Sequence, residues 1–183
     1  MLKPKVGRLL ISEPIFNDSI FSKSVILLTH YSYNESIGFI LNHPTKLYLS
    51  HLYKNLSLDF QIFLGGPVDK QSLYYIHTLG SVIPKSIKIS ENIYFGGEFN
   101  LILKLINNGS ISQNEIKFFI GYSGWGENQL DDEIKNDSWI VSNISDQNIC
   151  MTKSNEQLWR DFIKEMGDKY AIWANLPKNP SLN

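Results

Sequence analysis

Residues 24–42, SVILLTHYSYNESIGFILN, contain the two clearest strand patterns of the chain. Ser24–Tyr31 is β-branched and apolar, which is typical of a central, buried strand. Ile37–Asn42 is a second run of this kind, and Pro44 ends it because proline lacks the amide N–H that a strand donates. The polar residues Ser32–Ser36 between the two runs predict a turn, so the segment predicts a β-hairpin.

Further strand and helix patterns lie on both sides of this hairpin. Short apolar runs predict strands at Val6–Ser12, Phe60–Leu64, Leu73–His77, Ile87–Ile89, Asn92–Phe95, Glu115–Tyr122 and Ser138–Ser142. Helical patterns predict helices at Leu49–Leu56, Phe99–Ile106, Gln129–Lys135 and Ser154–Met166, the last with a capping box at Ser154. Because strands follow one another without a helix between each pair, we predict an α+β (or α/β) fold with helices packed on a mixed β-sheet.

The composition indicates one folded domain over residues 1–183, because 43% of the residues are apolar and 19% are charged. The 17 basic and 18 acidic residues are mixed along the chain and give a net charge of −1. Nucleic-acid binders usually carry a basic face, so nucleic acid is not a predicted partner. Arg8 and Arg160 are the only arginines, which removes the usual bidentate clamp for phosphate or carboxylate groups.

Patterns for export, membranes, metals and cofactors are absent from the sequence. The N-terminus lacks a signal-type apolar core, and no apolar run approaches the ~20 residues that span a membrane, so we predict a cytoplasmic protein. Cys150 is the only cysteine, which excludes an intramolecular disulfide and a cysteine-based metal site. The four histidines lack close ligand spacing, and the acidic run Asp131–Glu133 lacks the glycine-spaced loop of an EF-hand. We therefore predict no metal and no cofactor.

Three glycine-rich segments follow predicted strands, at Gly65-Gly66, Gly96-Gly97 and Gly121–Gly126. Glycine permits positive φ and a close approach of the backbone, which suits anion binding. If the strands are neighbours, these turns rim one cleft. The alternative interpretation is that the glycines serve only tight turns and close packing.

The segment GYSGWG, residues 121–126, invites comparison with the nucleophile elbow G-x-S-x-G of serine hydrolases. Gly121 and Ser123 match that pattern, but Trp125 stands where the elbow requires a small residue. A catalytic triad would also need a histidine, and His30 and His77 lie near the ends of predicted strands. A nucleophilic Ser123 therefore remains an alternative to a Gly-rich turn in which Trp125 is a packing anchor.

Several blocks, in order along almost the whole chain, resemble the AlgH/YqgE family of uncharacterised bacterial proteins. They are GRLLIS (7–12) with Pro14, Asp18, Phe21 and SVILL (24–28), GFILNHP (38–44), GGPV (65–68) with His77, GYSGWG (121–126) with QL (129–130), SW (138–139) and PSLN (180–183). The chain departs from the family pattern at His43, where a basic residue is usual, at Glu127-Asn128 in place of Pro-Gly, and at Asp137 in place of Gly. The resemblance implies an α+β or α/β sandwich with an irregular mixed sheet.

The resemblance implies little about activity. Members are described as transcriptional regulators, but that description follows a genetic effect and not a recognised DNA-binding module. This sequence has no recognisable helix-turn-helix and no basic face.

We therefore predict a non-catalytic regulatory or binding protein with a cleft for a small ligand or a protein partner, and no catalytic residue. The predicted ligand-binding residues are Asn42, Gly65, Gly66, His77, Gly96, Gly97, Ser123, Trp125 and Gly126. The alternatives are a serine hydrolase-like enzyme that uses Ser123 and a DNA-binding transcriptional regulator. The sequence leaves the oligomeric state open.

Overall fold

A computed structural model of the chain describes residues 2–13, 20–144, 151, 156–167 and 170. Within this part the strands are β1 (Leu9–Ser12), β2 (Val25–Tyr31), β3 (Ser36–Ile40), β4 (Pro44–Tyr48), β5 (Gln61–Leu64), β6 (Val68–His77), β7 (Ile87–Lys88), β8 (Tyr94–Phe95), β9 (Ile116–Trp125) and β10 (Trp139–Ser142). The α-helices are α1 (Phe99–Asn107), α2 (Gln129–Lys135) and α3 (Glu156–Glu165).

The strands join in one mixed sheet in the order β10-β1-β2-β3-β9-β6-β8-β7, with antiparallel neighbours along this path. The strand β5 lies off the path and pairs in parallel with β9, and β4 pairs antiparallel with β5. The predicted α+β class with a mixed sheet is thereby confirmed.

The predicted hairpin of residues 24–42 is present as β2 and β3. The strands pair antiparallel, with Leu27 opposite Phe39, and the turn closes through a 2.9 Å bond from Ser32 N to Glu35 O. The burial of both strands agrees with the apolar pattern that predicted them, since Val25–Leu28 are completely buried.

Apolar side chains cover both faces of the sheet, because neighbouring residues of a strand point to opposite faces. Leu9, Leu27 and Phe119 belong to a cluster that includes Trp159 of α3. Phe118 belongs to a second cluster, with Ile102 of α1. A third cluster joins β1, β2 and β10 to α2 through Leu10, Ile26, Trp139, Leu130 and Ile134. Each completely buried Leu, Ile or Phe contributes about 1.5–3 kcal/mol, so the helices are held mainly by these contacts.

The helix predicted at Leu49–Leu56 is wrong. Only a single 3-10 turn forms there, at Leu49–His51. The carboxylate of Asp59 accepts hydrogen bonds from Ser50 N (3.0 Å) and Ser50 Oγ (2.6 Å), which draws the chain into a loop. Asn55 has a φ of 62°, a left-handed conformation that a helix cannot contain.

The other sequence predictions differ from the structure mainly in length. Helices α1 and α2 form where they were predicted, but β4 was not predicted, and β6 begins at Val68, before the predicted Leu73. The strand β9 continues to Trp125, so most of the predicted Gly-rich turn at Gly121–Gly126 is strand. The predicted helix cap at Ser154, Cys150 and the matching positions Pro14, Asp18 and 180–183 lie outside the described residues.

We predict that alanine is much more costly at Gly121 than at Gly109, although both residues have left-handed backbones, with φ of 67° and 73°. Gly109→Ala should cost about 1–2 kcal/mol of unfolding free energy, because only the backbone conformation opposes a Cβ there. A Cβ at Gly121 would lie 2.6 Å from Gly66 O and 2.8 Å from Val68 O, so Gly121→Ala should cost at least about 2 kcal/mol more. Urea denaturation of both variants measures the difference, and equal costs would contradict the structure.

Candidate functional site

Gly65, Gly66 and Ser123 meet where β9 exchanges one neighbour for another. Residues 118–120 of β9 pair with β5, whereas residues 123–125 pair with β3. Gly65 joins the three strands, because its N–H donates to Ile120 O and its carbonyl accepts from Ile40 N, both at 3.0 Å. We call this meeting point of β3, β5 and β9 the strand junction.

The glycines of the strand junction leave space for another backbone. A Cβ at Gly65 would lie 2.3 Å from Gly121 O, and one at Gly66 would lie 2.2 Å from the carbonyl carbon of Tyr122. Of the two interpretations of these glycines, the contacts describe close packing of chain against chain. The space that an anion would need is filled by β9.

Ser123 has a structural position within the strand junction. Its side chain is 0% exposed, and its hydroxyl donates a 3.0 Å hydrogen bond to Gly65 O. Ser123 pairs with Gly38 in the antiparallel ladder of β3 and β9, whereas a nucleophile elbow places its serine on an exposed strand-to-helix turn. The geometry therefore does not support the hydrolase alternative.

Asn42 follows β3, and its side chain binds the backbone at the start of β2. Its amide oxygen accepts from Val25 N and its amide nitrogen donates to Lys23 O, both at 2.9 Å. The side chain is 2% exposed. A buried amide needs such partners, and here both of them are backbone groups that fix the loop before β2.

The neutral side chain of His77 links β6 to the loop after β8 by hydrogen bonds, and we call this link the His77 strut. Leu79 N donates to its Nδ1 at 3.2 Å, which assigns the ring proton to Nε2. Nε2 then donates to Gly96 O at 3.0 Å and lies 3.0 Å from Ser86 Oγ. Burial lowers the pKa of His77 below its ordinary value, and the Gly96 bond opposes this shift in part.

Trp125 and Gly126 serve the packing of α2. The indole N–H groups of Trp125 and Trp139 both donate to the same oxygen of Glu133, at 2.8 Å and 2.7 Å. Gly126 N donates to the side-chain oxygen of Gln129 at 3.0 Å, at the start of the helix. The structure thus places the predicted ligand-binding residues in four separate groups, at the strand junction, the start of β2, the His77 strut and the α2 contact.

A cavity of about 480 Å³ opens beside Gly96 and Gly97. We call it the aromatic cavity, and its wall consists of Tyr53, Ser72, Leu73, Tyr74, Tyr75, Phe95, Gly96, Gly97 and Phe99. The hydroxyl of Tyr75 donates to Gly97 O at 2.8 Å, and burial raises the pKa of Tyr75 to about 12, so this phenol stays neutral. The predicted residues Gly96 and Gly97 therefore border the aromatic cavity, whereas Gly65, Gly66, Ser123 and Trp125 are not among its wall residues.

Sequence reasoning missed the aromatic residues of this cavity. Tyr74 and Tyr75 are adjacent in β6, and Phe99 begins α1, which its apolar spacing assigned to the core. The ring centroids of Tyr53 and Tyr75 lie 5.2 Å and 5.6 Å from that of Phe99. The consecutive tyrosines were the available signal, because two adjacent aromatic residues in a strand place a ring on each face of the sheet.

The sequence profile of the AlgH-like family matches residues 9–171. The chain belongs to the AlgH-like family. Among curated relatives of this AlgH-like chain, a UPF0301 protein of Parabacteroides distasonis is 41% identical and the match covers 98% of this chain and 92% of that protein. A UPF0301 protein of Cytophaga hutchinsonii is 38% identical, with 97% and 98% covered. The resemblance stated from the sequence blocks is confirmed.

Two solved structures share the fold of this AlgH-like chain. The crystal structure of protein DIP2367 from Corynebacterium diphtheriae has a TM-score of 0.76 at 17% identity, covering 96% of this chain and 94% of that one. The solution structure of the AlgH protein from Pseudomonas aeruginosa has a TM-score of 0.71 at 18% identity, covering 98% and 100%. At these identities the likeness concerns the fold alone.

The described residues contain neither a metal-type cluster nor a membrane-type helix. Among these residues no three His, Cys, Asp or Glu side chains are grouped closely enough to hold a metal ion. None of the described helices combines the length and the apolar character that a membrane crossing requires.

We predict that the unfolding free energy falls as the pH is lowered from about 7 towards 5.5, because the lowered pKa of His77 makes the unfolded chain take up the proton first. One such histidine contributes a slope of at most about 1.4 kcal/mol per pH unit. The variant His77→Gln, whose amide N–H can replace Nε2–H, should reduce this slope. Burial also lowers the pKa of His43, so a smaller slope should remain. Parallel stability curves for the two proteins would contradict the neutral strut.

Proposed function

We propose that this AlgH-like protein is a non-catalytic binding protein of the cytosol, and that the aromatic cavity holds its small ligand. The observation that carries this proposal is a cavity of about 480 Å³ walled by aromatic rings. Small-molecule sites are typically concave, largely apolar and about 300–1,000 Å³ in volume, with a few polar groups that orient the ligand. A regulatory role would follow from ligand occupancy and not from a reaction.

The chemistry of the wall favours a flat, uncharged ligand. No charged side chain belongs to the described wall, and the phenol of Tyr75 is neutral. A ring of the ligand can make offset or edge-to-face contact with the aromatic side chains of the wall. Each such contact contributes about 0.5–1.5 kcal/mol beyond simple burial. The hydroxyl of Ser72 is a polar group at the wall that a ligand hydroxyl or amide can meet.

The His77 strut supports this use of the cavity. His77 holds Gly96 O, and Tyr75 holds Gly97 O, so both carbonyls of the glycine pair are fixed by side chains. Gly96 N also donates to Tyr75 O at 3.0 Å. A wall that is already fixed costs less conformational entropy when a ligand binds. In this proposal His77, Gly96 and Gly97 contribute to binding by shaping the cavity.

We predict that 2-naphthol, a flat and neutral probe, binds saturably to the aromatic cavity. Ser72→Trp should weaken this binding at least about tenfold, because the indole occupies the space that the probe needs. Ser110→Trp is the matched control, since Ser110 is an exposed serine outside the cavity wall. Isothermal titration calorimetry measures all three proteins.

The control should bind 2-naphthol as the natural chain does. An absence of saturable heat with the natural chain would overturn the aromatic cavity as a ligand site. Equal affinity of Ser72→Trp and Ser110→Trp would show that the probe binds elsewhere.

A further inference from the structure

The edge of β6 that faces β8 is paired along only part of its length. Residues 76–77 of β6 lie opposite residues 94–95 of β8. The chain then leaves the line of β8 at Gly96 and Gly97, where φ is 65° and 112°. If β8 continued in the same register, residue 98 would lie opposite Leu73, but the N–H of residue 98 donates to Pro84 O instead, at 3.0 Å. The strand position beside Leu73 is therefore left by the chain.

The backbone N–H and C=O of Leu73 point to this unpaired edge. In a strand both groups of a residue point to the same side, and the side alternates from one residue to the next. Gly65 N donates to Ile120 O, so Ile120 of β9 directs its backbone groups to β5 and not to Leu73, the residue opposite it in β6. Tyr75, two residues after Leu73, accordingly accepts from Gly96 N on the side of β8. In the part of the chain that the structure describes, no strand pairs with Leu73 on that side.

The regular part of this edge is short. Val68 lies opposite Tyr122 and Leu73 lies opposite Ile120, so the four residues between Val68 and Leu73 face a single residue of β9. Such a bulge interrupts the regular ladder before Leu73. At the other end, β8 already pairs with Ile76. The unpaired edge with regular geometry thus comprises residues 73–75, which is room for a short extended segment only.

The aromatic cavity lies along this edge. Its wall includes the consecutive residues 72–75 of β6 together with Phe95, Gly96 and Gly97, where β8 ends. A Cβ at Gly96 would meet no atom within 4 Å, so the turn leaves open space there. The cavity consequently borders the place at which β6 directs a backbone donor and a backbone acceptor away from β9.

Aromatic rings of the cavity stand on the face of the sheet to which the Leu73 side chain belongs. Leu73, Tyr53 and Phe99 pack against the same apolar cluster. The ring centroids of Tyr53 and Phe99 are 5.2 Å apart. Residues opposite each other in neighbouring strands share a face of the sheet, so a ligand residue paired with Leu73 directs its side chain towards these rings.

We propose that the aromatic cavity binds a short peptide in extended conformation, in which one aromatic residue pairs with Leu73 as an added strand at the edge of β6. The N–H of that residue donates to Leu73 O, and its C=O accepts from Leu73 N, as in a hydrogen-bonded pair of antiparallel strands. Its ring packs on Tyr53 and Phe99. Strand addition of this kind takes affinity from main-chain hydrogen bonds and specificity from the side-chain pocket. The inference rests on the function proposed above, because it names the chemical class of ligand for the same cavity.

The test compares two isomeric probes by isothermal titration calorimetry on the full chain. N-acetyl-N-methyl-phenylalaninamide carries its methyl group on the phenylalanine nitrogen, which is the donor to Leu73 O. N-acetyl-phenylalanine N′-methylamide, the matched control, carries it on the next nitrogen, which points away from β6. The first probe should bind at least about tenfold more weakly, because Leu73 O then lacks its donor. Ser72→Trp should weaken binding of the second probe, whereas Ser110→Trp should leave it unchanged.

The amide of Leu73 gives a second and local measurement. Because its N–H donates to the carbonyl of the bound peptide, saturation with N-acetyl-phenylalanine N′-methylamide should slow its hydrogen exchange at least about tenfold, as followed by NMR. The amide of Tyr74 points to β9, so its exchange should change less.

Equal affinity of the two isomers would overturn this inference, and so would an unchanged exchange rate of the Leu73 amide in the saturated chain. Binding of 2-naphthol separates this inference from the proposed function. If 2-naphthol binds and the isomers bind equally, the cavity remains a ligand site and only the strand addition is wrong. If neither 2-naphthol nor either isomer binds, the proposed function is wrong as well.

Discussion

The close approach of the Gly65-Gly66 backbone to residues 121–123 of β9 is the contact on which the rest of the structure depends. Without side chains at these glycines, the carbonyl of Gly65 can accept from Ile40 N and from Ser123 Oγ at once. One long strand can then pair with β5 along its first half and with β3 along its second, while β6 follows on its other side. The two parts of the sheet become one at this point.

The sequence predicted those elements whose patterns are local. Each strand of the hairpin of residues 24–42, and the helix α1, carries its pattern within about ten residues, and all of them form as predicted. The helix predicted at Leu49–Leu56 also had helical spacing, but hydrogen bonds from Ser50 to the distant Asp59 override it. The strand β4 was missed because its residues are mostly exposed and the loop of residues 49–60 separates it from its partner β5.

The arrangement of the predicted site residues follows less directly from the sequence than the fold does, for a physical reason. Glycine was correctly associated with close approach, but the sequence does not say whether the approaching group is a ligand or another strand. At Gly65 and Gly66 it is β9, at Gly97 it is the loop of residues 83–86, and Gly96 has open space beside it.

Native-state hydrogen exchange followed by NMR measures the central contact most directly. The amides of Gly65 and Ile40 form the hydrogen bonds of the strand junction, so they should exchange only when the whole chain unfolds. Their opening free energies should then equal the free energy of global unfolding from denaturation, and both should fall together as denaturant is added. Exchange of these two amides through a local opening, at a free energy well below that of global unfolding, would contradict the account.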